Sequence, residues 1–401
     1  MNKKLRLKNV VEYSTDKISI NEISLDNYLT TDNILQNKSG ITIATNLPPY
    51  SGNLQKYSEN EILVSNIRPY LKKIWFAKKG GGCSTDVLVF TTKENYNPKF
   101  IYYNLFSDDF FAHMMNGAKG TKMPRGDKNQ ILEYLIPDFE IETQAKIAKT
   151  LSDIDQKIAV NNAINDNLEA LAKTIYDYWF IQFDFPDKNG MPYKASGGKM
   201  VWNEVLKREI PLGWEAKSLY SIANFENGLA CQKYRPIQDA ANFLPVIKIK
   251  EMNDGISINT ERVRIDIPEK NIINDGDILF SWSATLDVKI WTGGKGALNQ
   301  HIFKVTSSKF PQSFYFFELN NYLKHFKMMA ELRKTTMGHI TIDHLKTSFI
   351  AIPENNLIQQ MSGIIEPILK KSVALKKQNQ QLSVLRDWLL PMLMNGQVSV
   401  R

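Results

Sequence analysis

Two stretches of the sequence decide the fold when one is set above the other: EILVSNIRPYLKKIW, Glu61 to Trp75, and DILFSWSATLDVKIW, Asp277 to Trp291. They align without a gap at an offset of 216 residues. Each starts on an acidic residue, runs through Ile-Leu-x-Ser and closes on Lys-Ile-Trp. At the same offset Asp127 falls on Asp343 and Ile136-Pro137 on Ile352-Pro353, and at 214 Asn165, Leu168 and Leu171 fall on Asn379, Leu382 and Leu385. Matched blocks in one order at nearly one offset mark a duplicated unit.

Each copy reads as a globular part followed by a long helix. The globular parts hold short β-rich runs, Ile62 to Ser65, Val87 to Thr91, Phe243 to Ile249 and Asp277 to Ser281, punctuated by Gly, Asn and Pro. The fold class is therefore α+β: two mixed α/β domains with two long helices as an internal repeat. The expected boundaries are 1–140 and 209–356 for the domains, 141–183 and 357–401 for the helices with the C-terminal tail, and 184–208 for a linker or exposed loop.

The helices carry a seam. Ile147, Leu151, Ile154, Ile158, Asn161, Asn165, Leu168, Ala172, Ile175 and Trp179 advance by alternating steps of four and three. Their counterparts 214 residues on are Met361, Ile365, Ile368, Ser372, Leu375, Asn379, Leu382, Arg386, Leu389 and Leu393. A mostly apolar heptad repeat in both copies points to a coiled coil, with Asn165 and Asn379 as polar positions of the kind that set register at a cost in stability. Two unrelated amphipathic helices are the alternative. Pro367 is expected to bend the second helix or to mark a later start.

Composition narrows the partners. The 401 residues are 43% hydrophobic and 23% charged, with 50 Lys plus Arg against 42 Asp plus Glu and a formal net charge of +8. A basic balance fits a nucleic-acid partner. No run approaches the ~18 to 20 apolar residues of a membrane helix, and the basic N-terminus lacks the apolar core of a signal peptide, so a cytoplasmic protein without membrane contact is expected. Two cysteines, Cys83 and Cys231, exclude a disulfide framework and a cysteine-based zinc site.

Catalytic signatures fail on inspection. NLPPYSG, Asn46 to Gly52, resembles the loop with which amino-methyltransferases hold a target base, but Leu47 stands where the polar acceptor belongs. GGKGAL, Gly293 to Leu298, has Gly296 in place of the Ser or Thr of a phosphate loop. Pro186-Asp187 with Glu215-Ala216-Lys217 fits a metal nuclease pattern only loosely, and His339 and His344 are five apart instead of the four that one helical face requires. No metal site and no catalytic residue are expected.

A chain running domain, helix, domain, helix closes most simply with the helices antiparallel. Two unlike domains on such a spacer would read two different half-sites, with a coiled coil of roughly 60 Å setting the unread interval.

The segments PLGWEAKSLYSIANFENG (Pro211 to Gly228), LPVIKIKEMNDG (Leu244 to Gly255), NDGDILFSWSATLDVKIW (Asn274 to Trp291), ALNQHIFKV (Ala297 to Val305) and LSVLRDWLLPMLMNGQV (Leu382 to Val398) resemble the specificity subunit of Type I restriction-modification enzymes, over essentially the full chain. The resemblance implies two target recognition domains on antiparallel spacer helices. It also implies a subunit without catalysis or cofactor of its own, which binds double-stranded DNA and two methyltransferase subunits. S-adenosylmethionine, ATP and Mg are then expected on the methyltransferase and the endonuclease/translocase partners. The chain departs from the pattern at its start, where Pro211-Leu212-Gly213-Trp214 has no counterpart. The first strand, Leu5 to Val11, is expected to be completed by the tail near Gln397 to Val400, unless the start is truncated. The competing classes are a stand-alone methyltransferase or nuclease and a coiled-coil scaffold with no DNA role.

DNA contacts are expected from Arg68, Lys72, Lys73, Lys119, Lys122, Arg125 and Lys128 in the first domain, and from Lys233, Arg235, Trp282, Lys289, Arg333, Lys334 and His339 in the second, with a place in the core as the alternative for Trp282. A single lysine is by itself an ordinary solvated charge. The groups at matching repeat positions, Lys119 to Lys128 and Arg333 to His339, carry more weight. The seam is expected to rest on Ile154, Ile158, Asn165, Leu168, Ile368, Leu375, Asn379 and Leu382, leaving Leu171, Leu385 and Trp388 for a partner to cover.

Overall fold

The amphipathic stretch after Pro137 forms one helix of 36 residues, Ile141–Tyr176, that runs into a π-helical turn, Asp177–Ile181; its repeat forms a 40-residue helix, Asn355–Met394. The computed structural model describes residues 3–48, 52–236, 242–332 and 339–400. Pro367 lies inside the second helix and does not delay its start, which falls at Asn355. None of the described helices is long and apolar enough to cross a membrane. The chain divides into two compact units, Met1–Ile158 with Gln381–Arg401, and Ala159–Gln380. Each unit holds a recognisable copy of the same topology and part of the helix pair.

In unit 1 a sheet of four strands runs, in order, Val11–Tyr13, Val87–Thr92, Ile62–Ser65 and Ile74–Phe76, all antiparallel. Unit 2 repeats it as Asn224–Asn227, Ile302–Thr306, Ile278–Ser281 and Asp287–Ile290. The strands Ile62–Ser65 and Ile278–Ser281 are buried at every residue, which is why both read as continuous apolar runs instead of alternating ones. The quoted repeat is thus a central hairpin present twice.

The second sheets share three strands and differ at an edge. In unit 1 Gly81–Cys83 lies between a parallel neighbour, Tyr28–Leu29, and an antiparallel one, Asn53–Tyr57. In unit 2 Gly296–Leu298 lies between Phe243–Ile247, parallel, and Ile272–Ile273, antiparallel. The fourth strand, Lys17–Ser19, joins the antiparallel side in unit 1, whereas Arg262–Arg264 joins the parallel side in unit 2. An edge can change because it disturbs no inner hydrogen bonds.

The first strand corrects one expectation. Leu5 to Val11 is broken by a 3-10 turn, Leu7–Asn9, and its Lys4–Arg6 part pairs antiparallel with Leu135–Pro137, not with the C-terminal tail. The same pairing recurs in unit 2 between Glu215–Ser218 and Phe349–Ile352. The tail meets unit 1 by packing instead: Val400, like Leu5, lies against the core formed by Leu7, Phe100, Phe110 and Leu393.

The stretch 184–208 is more ordered than a linker. Met200–Asn203 forms a hairpin with Arg208–Pro211, and Phe185 stacks on Tyr193 and Trp214 within the core of unit 2. Three aromatic rings with centroids 4.7 and 5.5 Å apart outweigh the flexibility of its glycines.

Between the helices, the contacts run in opposite directions. In unit 2 Asn161 donates to Gln378 Oε1 and Asn379 Oδ1, both at 2.8 Å, while Ser372 and Lys376 bond Glu169 Oε1 further along. There Asn161 and Asn165 are buried, and Leu168, Ile368 and Asn379 half-buried, with Leu375 7% exposed; Ile158 and Leu382, half-buried, belong to unit 1. In unit 1 Ile154 is half-buried, and Ile147 and Leu151 share the core with Leu390 and Leu393.

Asn165 and Asn379 occupy one repeat position, yet an antiparallel register keeps them apart. Asn379 bonds Asn161 and Asn162. Asn165 lies midway between the Asn161–Asn379 and Glu169–Ser372 contacts, which places it opposite Leu375. Both polar atoms of its buried side chain lack a partner. Asn165→Leu is therefore expected to stabilise unit 2 by about 1–2 kcal/mol, the cost of leaving a buried amide unsatisfied. Thermal unfolding checks this, and an unchanged or lowered midpoint would count against the register.

Candidate nucleic-acid interface

Each central strand ends in a serine, and the chain beyond it is clamped the same way in both units. In unit 1 Asn66 N donates to Asp86 O at 2.8 Å, and Gly126 N donates to Asn66 O at 3.2 Å. In unit 2 Trp282 N donates to His301 O at 3.3 Å, and Ile340 N donates to Trp282 O at 2.8 Å. The turn past each strand is thus held between the next strand of the sheet and a segment that follows the domain's helices.

This clamp gathers several predicted residues of unit 1. Arg68 N donates to Pro124 O at 2.8 Å, and Lys119 and Arg125 exchange two backbone bonds of 2.9 and 3.0 Å, so the 119–125 turn lies beside Arg68. Lys119, Lys122, Arg125 and Lys128 are exposed. Arg125 reaches Asp86 at 3.1 Å and Lys119 reaches Asp127 at 3.2 Å. Asp127 caps the short helix Lys128–Ile131; backbone bonds from Gln130 and Asn129, with Lys119, hold its carboxyl below the usual range. Exposed ion pairs of this kind contribute little stability, so phosphates can replace the carboxylates at small cost. The corresponding cap in unit 2 is Thr341, which places the structural match to Asp127 two residues before Asp343.

Lys72 closes the 3-10 turn Pro69–Leu71 that Arg68 opens. With Lys38 it contacts Asp108, each at 2.7 Å. Lys73 turns inward, where its ammonium donates to Thr31 O and burial lowers its pKa. Lys289, which matches it in the sequence repeat, lies closer to the surface and bonds Asn253 Oδ1 at 2.6 Å and Asp287 at 3.2 Å. These two lysines brace their strands to neighbouring loops. Lys128 sits behind the Asp127 cap, 5.9 Å from the Tyr13 ring centroid.

In unit 2 Trp282 is half-buried and its indole N–H donates to Asn227 Oδ1 at 3.1 Å. His301 and His339 flank its ring at 5.6 and 5.5 Å, and Phe303 packs at 5.8 Å. Lys233 and Arg235 are exposed at the 3-10 turn Cys231–Tyr234, whose Ala230 neighbourhood adjoins Gln300 through Leu229. Arg333 and Lys334 lie outside the described residues.

Residues that the sequence reading passed over lie at or beside the same turns: Asn66 and Tyr70 in unit 1, and Asn227, Gln300 and His301 in unit 2. One signal was available. Inside the repeated block the ends match, but Asn66 to Leu71 and Trp282 to Asp287 do not. Among the described residues no group of His, Cys, Asp and Glu is arranged to hold a metal ion. The Gly293 to Leu298 string is a turn and a strand, with Trp291 Nε1 donating to Gly294 O at 2.6 Å. Asp187 accepts two backbone bonds in its own turn. Pro49, Tyr50 and Ser51 of the proline string lie outside the described residues.

Comparison with known proteins matches the duplicated fold. The family model for the Type I restriction modification DNA specificity domain matches twice, over residues 2–170 and 211–383. The MjaIX specificity subunit of Methanocaldococcus jannaschii is 26% identical over 77% of this chain and 71% of its own. The HindI specificity subunit of Haemophilus influenzae is 25% identical over 92% of this chain and 94% of its own. Among solved structures, the S subunit of a type I restriction-modification system from M. genitalium has the same fold, with a TM-score of 0.59 at 15% identity, covering 98% of this chain and 96% of that one.

Proposed function

We propose, because this chain belongs to the Type I restriction modification DNA specificity family, that it recognises an asymmetric, bipartite double-stranded DNA target and positions two methyltransferase subunits on it, through which endonuclease/translocase subunits are recruited. The observation that carries the reading is one scaffold present twice with different residues on the clamped turns. Equal scaffolds give two equivalent reading heads, and unequal turns give two different half-sites. The chain supplies recognition; S-adenosylmethionine, ATP and Mg belong to its partners.

Exposed apolar residues support the partner role. Leu171 and Leu385 occupy one repeat position and are 49% and 43% exposed, and Trp388 is 54% exposed. Apolar groups repeated on two helices fit two copies of one partner better than a scatter of single exposures does.

Mapping methylated bases in cells with and without the gene tests the reading. Loss of one bipartite motif is expected on deletion, and exchange of the first domain for a relative's should change one half of the motif alone. A motif that survives deletion sinks the proposal, and a purified chain that modifies or cuts DNA unaided points to a stand-alone enzyme. A complex without salt-dependent DNA binding leaves only a coiled-coil scaffold.

A further inference from the structure

The clamped turns share a feature beyond their hydrogen bonds. Arg68 and Ala284 stand three residues after Ser65 and Ser281, at one repeat position, and both hold left-handed backbone, with φ of +50° and +55°. Residues with a Cβ avoid this region, and it persists where the surroundings over-determine it. Here the surroundings are visible: the clamp on either side, and in unit 2 Ser281 Oγ, which donates to Thr285 O at 2.6 Å and accepts from Asp287 N at 2.9 Å. The left-handed residue is kept in both copies while the side chains and the length of the turn change: Ser65 N donates to Lys73 O, but Ser281 pairs with Asp287, two residues sooner.

Polar atoms on and beside these turns lack partners within the chain. Asn66 Oδ1 and Arg68 Nε are buried without a partner, as is His301 Nδ1 beneath Trp282. Tyr70 stands 50% exposed between Arg68 and Lys72. Groups with this chemistry read base edges: an arginine fork matches the two acceptors of guanine, whereas an aromatic face meets the methyl of thymine.

We propose that the turns at 66–71 and 282–287 are the specificity-determining elements of the two domains, Arg68 reading a guanine in one half-site and Trp282 with His301 reading a thymine-containing pair in the other. The proposal rests on the DNA-recognition reading above.

The test is methylation mapping with the complete complex carrying Arg68→Ala or Trp282→Ala, the second chosen to remove the aromatic face. Arg68→Ala should relax one guanine position of one half-site by about ten- to a hundredfold, with the other half and the spacing unchanged. Trp282→Ala should relax the opposite half alone. A motif unchanged in both variants overturns the assignment, as does an equal fall of methylation at both halves, which would make the turns structural. A wild-type complex that methylates no bipartite motif would instead overturn the underlying reading.

Discussion

Replacing Arg386 by alanine is expected to lower the unfolding free energy of unit 1 by about 3 kcal/mol, the loss that follows when one partner of a largely buried ion pair is removed. Arg386 occupies an apolar position of the seam, where a charge survives only if its donors are satisfied. Its Nη1 lies 2.8 Å from Asp155 Oδ1, with side-chain exposures of 16% and 30%, and its guanidinium lies 4.7 Å from the Phe106 ring centroid. Tyr103 donates to the other Asp155 oxygen at 2.7 Å. Alanine would leave Asp155 with the tyrosine alone in a half-buried setting. Adding Asp155→Ala to the variant should recover part of the loss, because the stranded charge goes with it. Urea unfolding of the single and double variants measures the coupling, and a cost below about 0.5 kcal/mol for Arg386→Ala would reduce the pair to a surface contact.

Unit 2 is expected to lose stability as pH rises, through Glu318. Burial pushes this carboxyl up to about 7 from an ordinary value near 4.5, against the lowering effect of the Tyr176 hydroxyl, which donates to it, and of Arg208. The folded state therefore binds the proton more tightly than the unfolded one. The resulting stabilisation is fully present below the unfolded value and is lost as pH climbs through about 7. A difference of this size corresponds to about 3 kcal/mol across the interval. Glu318→Gln keeps an oxygen for Tyr176 and removes the titration. The gap between the variant and the wild type should widen by roughly that amount from pH 5 to pH 8, as read by thermal unfolding at each pH. Parallel pH profiles would show that the group is solvated in the folded state.

Much of the architecture was legible in the residues because periodicity reports burial directly. Ile62 to Ser65 and its repeat are uninterrupted apolar runs, and a strand buried on both faces has that appearance. The seam was legible for the same reason, since steps of three and four place side chains on one helical face whatever lies opposite. What lies opposite was not legible. Asn165 and Asn379 match in sequence, yet the direction of pairing sends one to Asn161 and the other to Leu375.

The candidate interface divides along the same line. Charge and turn composition pointed to Lys119 through Lys128, and the backbone brings that turn against Arg68. Lys73 and Lys289 look like ligands for phosphate in a sequence, but their partners, Thr31 and Asn253, stand 42 and 36 residues away along the chain. By itself the sequence determined that one unit is present twice, that each is an α+β domain with a helix, and which helix face is apolar, because these depend on local order and periodicity. Only the tertiary structure decided which charges remain available, which amides lose their partners and which turn is held left-handed, because those depend on groups that meet across long stretches of chain.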